Sequence, residues 1–221
     1  MNNTHGVTRV AVVEDHTLFR SMLEQVIRGA DDLTLVSSSA TVTDARVAIK
    51  PRKVDVVLLD IDLPDGNGIA LGVMLCRADP NLRVVLLSAQ NAMDLMLDLP
   101  KDVAGGWSYL SKTSTNDSEG LLHAIRVAAA GGSTLDPSLL DKMTPRVGTA
   151  VAKLTDRQYE VLRQIAAGLS NAGIAERLGI TEKSVQNHVN AIYATLGIDA
   201  NPTRNPRVTA ALRLIEETGT A

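Results

Sequence analysis

Short apolar runs rich in valine and leucine recur through the first half of the chain, and stretches of helical period separate them. The runs cover 9–13, 33–36, 54–59, 83–87 and, more weakly, 107–110. Continuous apolar character means strands buried on both faces, because a strand with one wet face would alternate. Helices are expected between them at 16–29, 43–50, 68–78, near 92–98 and at 117–130. Regular alternation of strand and helix leaves one economical architecture, a doubly wound parallel α/β sheet of five strands with right-handed crossovers. Ligands of such sheets gather at the carboxyl ends of the strands, where strand order reverses.

After Gly131-Gly132 the strand pattern stops. Residues 134–150 mix Pro, Gly, Ser and Thr, with room for one short helix at 137–143, and read as a linker. Everything beyond is helical, with segments near 155–167, 171–178, 181–196 and 206–217. The expected layout is an α/β domain at 7–131, a linker at 132–151 and an all-α four-helix domain at 152–217. At 221 residues and 45% hydrophobic content, both domains can bury a core.

Composition removes several function classes. No apolar run nears the roughly 20 residues that span a bilayer, and Met1–Val10 lacks the basic start and apolar stretch of a secretory signal, so a cytoplasmic protein without membrane contact is expected. The single cysteine, Cys76, has no disulfide partner in the chain and reads as a neutral helix residue. An aromatic content of 2% argues against base-stacking nucleic-acid platforms but leaves groove reading by a helix open. The net charge of -3 divides unevenly, with +1 from Val151 onward and -4 before it. The C-terminal part is therefore the better partner for a polyanion.

Acids stand at the strand ends. Glu14 and Asp15 follow the first strand, Asp60 follows the third, and Asp62 lies two residues on. In a flavodoxin-like strand order these carboxylates share one crevice, where their repulsion requires a cation. Mg²⁺ suits the donor set, since it takes oxygen ligands and binds through one or two carboxylates plus phosphate. Lys112 after the fifth strand supplies a fixed positive charge, and Ser88 after the fourth a hydroxyl donor.

These residues carry a resemblance. Val12-Val13-Glu14-Asp15-His16, the run from Asp60 through Asp62-Leu63-Pro64-Asp65-Gly66-Asn67 to Gly68, Ser88-Ala89 and Tyr109-Leu110-Ser111-Lys112 are similar to the receiver domain of two-component response regulators. The resemblance implies that Asp60 is the phosphoacceptor for a sensor histidine kinase. It implies that Glu14, Asp15, Asp60 and the backbone carbonyl of Asp62 hold Mg²⁺, that Ser88 and Lys112 bind the phosphoryl oxygens, and that Tyr109 is the aromatic whose rotamer follows phosphorylation. Two features depart from the family: Pro100 ends or kinks the helix expected near 92–98, and Gly105-Gly106-Trp107 replaces the usual smaller residues before the fifth strand.

In the C-terminal region Thr155 and Thr181 are natural N-caps, and Gly168 and Gly179 stand where helices should stop. On the third helix Val185, Val189, Ile192 and Leu196 share one face, while Lys183, Gln186, Asn187 and Asn190 occupy the opposite one. Ser170-Asn171, Ile174-Ala175 and Ser184-Val185 before His188 make 152–217 similar to the LuxR-type helix-turn-helix of NarL-class regulators. That resemblance implies a recognition helix at 181–196 reading promoter DNA through Thr181, Lys183, Ser184, Gln186, Asn187 and Asn190. It also implies a homodimer paired through Val208, Ala211, Leu212 and Ile215. Gln186 and Asn190 replace lysines common in the family, and Gly173 replaces an acid, which implies a shallower salt dependence of binding.

The expected function is a phosphorylation-controlled transcription regulator, not an enzyme. Two alternatives remain open at this stage. One keeps the DNA reader but makes the receiver independent of phosphate; the other is a Mg²⁺-dependent phosphatase with an aspartate nucleophile, although no substrate cap or paired N-terminal acidic motif is present.

Overall fold

A computed structural model describes residues 6–89, 100, 103, 107–113, 118–136, 140–141, 143–198 and 205–220. Among them the chain forms two compact units, one ending at Gly131 and the other beginning at Gly132.

The first unit is built on parallel strands β1 (Thr8–Val13), β2 (Leu33–Ser39), β3 (Val56–Asp60), β6 (Arg83–Ser88) and β7 (Trp107–Ser111), in spatial order β2-β1-β3-β6-β7. Helices α1 (Thr17–Arg28), α2 (Val42–Ala48), α3 (Gly68–Ala78) and α4 (Ser118–Ala129) connect or follow them. Every residue of β3 is buried, as its unbroken apolar run requires. The edge strand β2 departs from that expectation. It alternates buried and exposed positions, and Val36 is 43% exposed, so one of its faces stays wet, whereas β7 at the opposite edge is buried over four of its five residues. The helix expected near 92–98 lies outside the described residues.

The sheet has a core on each face. On one, Val10, Val12, Leu58, Val85 and Leu87 pack against Leu23 and Ile27 of α1 and Leu121 and Ile125 of α4. On the other, the side chain of Trp107 is fully buried and reaches α3 at Gly72, where a Cβ would stand 2.6 Å from the indole Cη2. The tryptophan that departs from the family pattern is thus accommodated by a missing side chain on the facing helix. Cys76 lies on the same helix, buried, and donates to the carbonyl of Leu82 at 3.8 Å. Burial pushes its thiol up to about 11.

Between Asp60 and α3 the chain makes a small antiparallel pair, β4 (Asp62–Leu63) with β5 (Gly66–Asn67). Asp65 at its turn accepts from the amides of Val42 and Thr43 at 2.6 and 2.9 Å, tying this loop to the start of α2.

The second unit contains α5 (Asp156–Ala166), α6 (Asn171–Leu178), α7 (Glu182–Leu196) and α8 (Pro206–Glu217). The sequence signals for their ends are realised: Thr155 forms a capping box with Gln158, Thr181 caps α7, and Gly168 and Gly179 hold left-handed conformations of φ 81° and 63°. The expected linker is not free. Its residues 143–145 form β8, paired antiparallel with β9 (Thr218–Thr220), and the Tyr159 hydroxyl donates to the Met143 carbonyl at 2.9 Å. Leu135 and Val151 are each 1% exposed. Of the short helix expected at 137–143, residues 137–139 and 142 lie outside the described residues, and Met143 belongs to the strand.

Two outcomes test this packing. Gly72→Ala should destabilise the protein by about 1–3 kcal/mol through overpacking against Trp107, measured by urea unfolding with the emission of this sole tryptophan. Cys76 should react with an aromatic disulfide at pH 8 only as fast as the protein opens, so that labelling accelerates across the urea transition; fast labelling without denaturant would contradict the burial.

Candidate functional site: an acidic crevice and a helix-turn-helix

Strand order brings the ends of β1 and β3 side by side, since Val13 is in register with Leu59. The next residues, Glu14 and Asp60, are 0% and 3% exposed, while Asp15 is exposed beside them. One ligand oxygen from each of the three carboxylates lies within 4.8 Å of the others. Lys112 follows β7, and its backbone amide donates to the carbonyl of Ser88 at 2.7 Å, which ties the ends of β6 and β7 together. From there its ammonium reaches Asp60 Oδ2 at 2.8 Å and Glu14 Oε1 at 2.9 Å.

Burial pushes the Glu14 carboxyl above its usual range against the pull of Lys112, and Asp60 pushes it further the same way. Burial alone would lower the Lys112 ammonium, but its hydrogen bonds to Asp60 and Glu14 outweigh that and raise it. When ionised, three carboxylates face one ammonium and leave two negative charges uncompensated. That excess matches one divalent cation. Mg²⁺ at about 2.1 Å from each oxygen spans at most about 4.2 Å between opposite ligands, so carboxylates already within 4.8 Å need only small rotamer changes to share one. The donors fit the ion.

Asp62 is exposed, and its amide points toward Asp60 Oδ1 at 3.4 Å. Ser88 and Tyr109 are buried at 3% and 1% exposure, at the end of β6 and within β7.

Sequence reasoning passed over three residues here. Gly68 reads as turn chemistry, yet a Cβ at this position would sit 1.8 Å from the carbonyl oxygen of Asp60. Close backbone approach, not a turn, demands glycine. Arg20 donates to the carbonyls of Glu14 and Asp15 at 2.6 and 3.1 Å, fixing the acidic loop from α1. Phe19 lies with its ring centroid 5.2 Å from the Lys112 ammonium. Only the position of Phe19 and Arg20, one turn into the helix after the acids, could have signalled this.

In the second unit α7 buries Val185, Val189, Ile192 and Leu196. Thr181, Lys183, Gln186, Asn187 and Asn190 are exposed, and Ser184 is half-buried. The expected pairing stripe on α8 needs correction. Val208, Ala211 and Ile215 are 5%, 2% and 2% exposed within their own domain, where α8 packs against α5, and Leu212 alone of the four is half-buried. The apolar period marked the core face of this helix, so those three side chains are not available to a partner.

The profile of the family "Response regulator receiver domain" matches residues 10–126, and that of "Bacterial regulatory proteins, luxR family" matches 152–202. The chain is 31% identical over 201 residues to the DNA-binding transcriptional activator DevR/DosR of Mycobacterium tuberculosis, covering 87% of this chain and 90% of that protein. It belongs to the response regulators. It is also 32% identical over 196 residues to the nitrate/nitrite response regulator NarL of Escherichia coli K12, covering 86% and 88%. Among solved structures, a Salmonella typhimurium RcsB response regulator aligns over 98% of both chains with TM-score 0.51 at 19% identity, a likeness of fold. This response regulator therefore joins a receiver to a LuxR-type DNA-binding domain, and its relatives are transcriptional regulators.

Removing the ammonium exposes what it balances. Lys112→Met should cost about 3–5 kcal/mol in metal-free buffer, because two buried carboxylates lose their counter-ion. Millimolar Mg²⁺ should restore part of that loss in urea titrations, and no Mg²⁺ effect would count against a cation in the crevice.

Proposed function

We propose that this response regulator is switched by phosphoryl transfer from the phosphohistidine of a sensor kinase to Asp60, and that the phosphorylated protein binds paired promoter half-sites as a homodimer in the cytoplasm. The observation that carries the reading is the buried Asp60 carboxylate, which stands in the acidic cluster with Oδ2 2.8 Å from Lys112.

The chemistry follows from the residues. A carboxylate oxygen of Asp60 attacks phosphorus in line with the departing histidine nitrogen; the P–N bond breaks as the P–O bond forms. Lys112, already held at the crevice by Glu14, needs only a short shift to meet the phosphoryl oxygens. The Ser88 hydroxyl is the second donor on the same side of the sheet's carboxyl edge. Glu14, Asp15, Asp60 and the carbonyl of Asp62 would hold Mg²⁺, which when bound neutralises charge on the transferring group.

Asp60 and the crevice thus carry a charge event, and Tyr109 carries its consequence. Phosphorylation adds strong acceptor oxygens that draw Ser88, and the buried ring of Tyr109 on the adjacent strand responds to that shift. On α7, Lys183 and Asn187 would contact phosphates and base edges together with Thr181, Ser184, Gln186 and Asn190. The dimer surface is some face other than the buried stripe of α8.

Acetyl phosphate with Mg²⁺ should label the wild type and leave Asp60→Asn unlabelled, read by phosphate-affinity electrophoresis. Equal labelling would remove Asp60 as acceptor. An unlabelled wild type that still selects a DNA motif would place control of the DNA-binding domain elsewhere than in phosphate.

A further inference from the structure

A chain of side-chain hydrogen bonds runs across the DNA-binding domain from α8 to the exposed face of α7. Arg207, on the first turn of α8, donates through Nη2 to the carbonyl of Leu169 and through Nη1 to Asn171 Oδ1 at 2.9 Å. Asn171 opens α6, and its Nδ2 donates to Gln186 Oε1 at 2.9 Å. Gln186 Nε2 in turn donates to Asn190 Oδ1, one turn along α7, at 2.9 Å.

The direction of this chain is dictated at one end. A guanidinium has five donors and no acceptor, so the amide end that faces it must be oxygen. Each amide carries one accepting and one donating end, and orientation therefore passes from residue to residue. Asn171 is turned with nitrogen toward Gln186, Gln186 with nitrogen toward Asn190, and Asn190 is left with Nδ2 as the end facing away from the chain. Arg207 is partly buried, which lowers its guanidinium below the usual value, but a guanidinium keeps its donor-only character throughout. Asn171 and Arg207 are partly covered, whereas Gln186 and Asn190 are exposed opposite the buried Val185, Val189 and Ile192.

Asparagine ordinarily reads adenine with both ends, Oδ1 accepting from N6 and Nδ2 donating to N7. Here Gln186 holds Oδ1. We propose that Arg207, acting through Asn171 and Gln186, fixes Asn190 as a hydrogen-bond donor, so that this position of α7 selects guanine, whose major-groove edge offers N7 and O6 as acceptors, over adenine. The proposal rests on α7 being the groove-reading helix. Arg207 is a positioning residue and Asn190 the one that meets the base.

Selection from randomised duplexes by the full-length protein, treated with acetyl phosphate and Mg²⁺, tests it. The wild type should enrich guanine at one position of each half-site, and Asn190→Ala should lower that enrichment by roughly fivefold or more while leaving other positions alone. Gln186→Glu keeps an exposed site and the acceptor for Asn171 but has no donor; Asn190 must then turn Nδ2 inward and Oδ1 outward. Preference at the same position should move to adenine or cytosine, whose amino groups donate. Arg207→Lys, also donor-only, should keep the guanine preference, and Arg207→Met should lose it. Adenine enrichment by the wild type, a motif indifferent to residue 190, or an unchanged guanine preference in Gln186→Glu would each overturn the relay while leaving DNA reading by α7 intact. Bound fragments with no motif at all would overturn both.

Discussion

One ammonium between two buried carboxylates organises the receiver. Glu14 and Asp60 come from different strands, Lys112 from a third, and none could be buried alone without a large electrostatic cost. The parallel order β2-β1-β3-β6-β7 is what brings them together, because it sets the ends of β1 and β3 beside each other. Around this centre the remaining features act as supports. Gly68 allows α3 to start against the Asp60 carbonyl, and Arg20 holds the acidic loop by its backbone. The net negative charge left over makes the crevice receptive to a divalent cation.

Much of this was legible in the chain. Buried parallel strands leave unbroken apolar runs, so all five strands and the acids at their ends could be placed before any coordinates. Helix ends were equally readable, since Thr155, Thr181, Gly168 and Gly179 act through local geometry. What escaped was nonlocal. The wet face of β2 depends on what the fold packs over it, and the need for glycine at positions 68 and 72 depends on atoms brought close by folding. On α8 the apolar period was seen correctly, but period alone does not say whether such a face meets its own domain or another molecule.

The DNA-binding domain shows a related division. Hydrophobic spacing locates α7, but not the polar contacts that reach its exposed face, where Gln186 accepts from Asn171 of α6, itself an acceptor for Arg207 of α8. Gln186 and Asn190 put neutral amides rather than ammonium groups on that exposed face. Such a surface gains less from counter-ion release and relies more on the geometry of individual donors.

The pairing of β8 with β9 has a consequence for the second unit. Residues that composition marks as slack are fastened to the last turn of the chain, where the Arg146 amide also donates to the Glu217 carbonyl at 2.9 Å. Trimming the chain beyond Glu217 would remove β9 and leave residues 143–145 without their strand partner. Backbone groups of 143–145 would then be left to water, so part of the second unit is held by residues beyond its last helix.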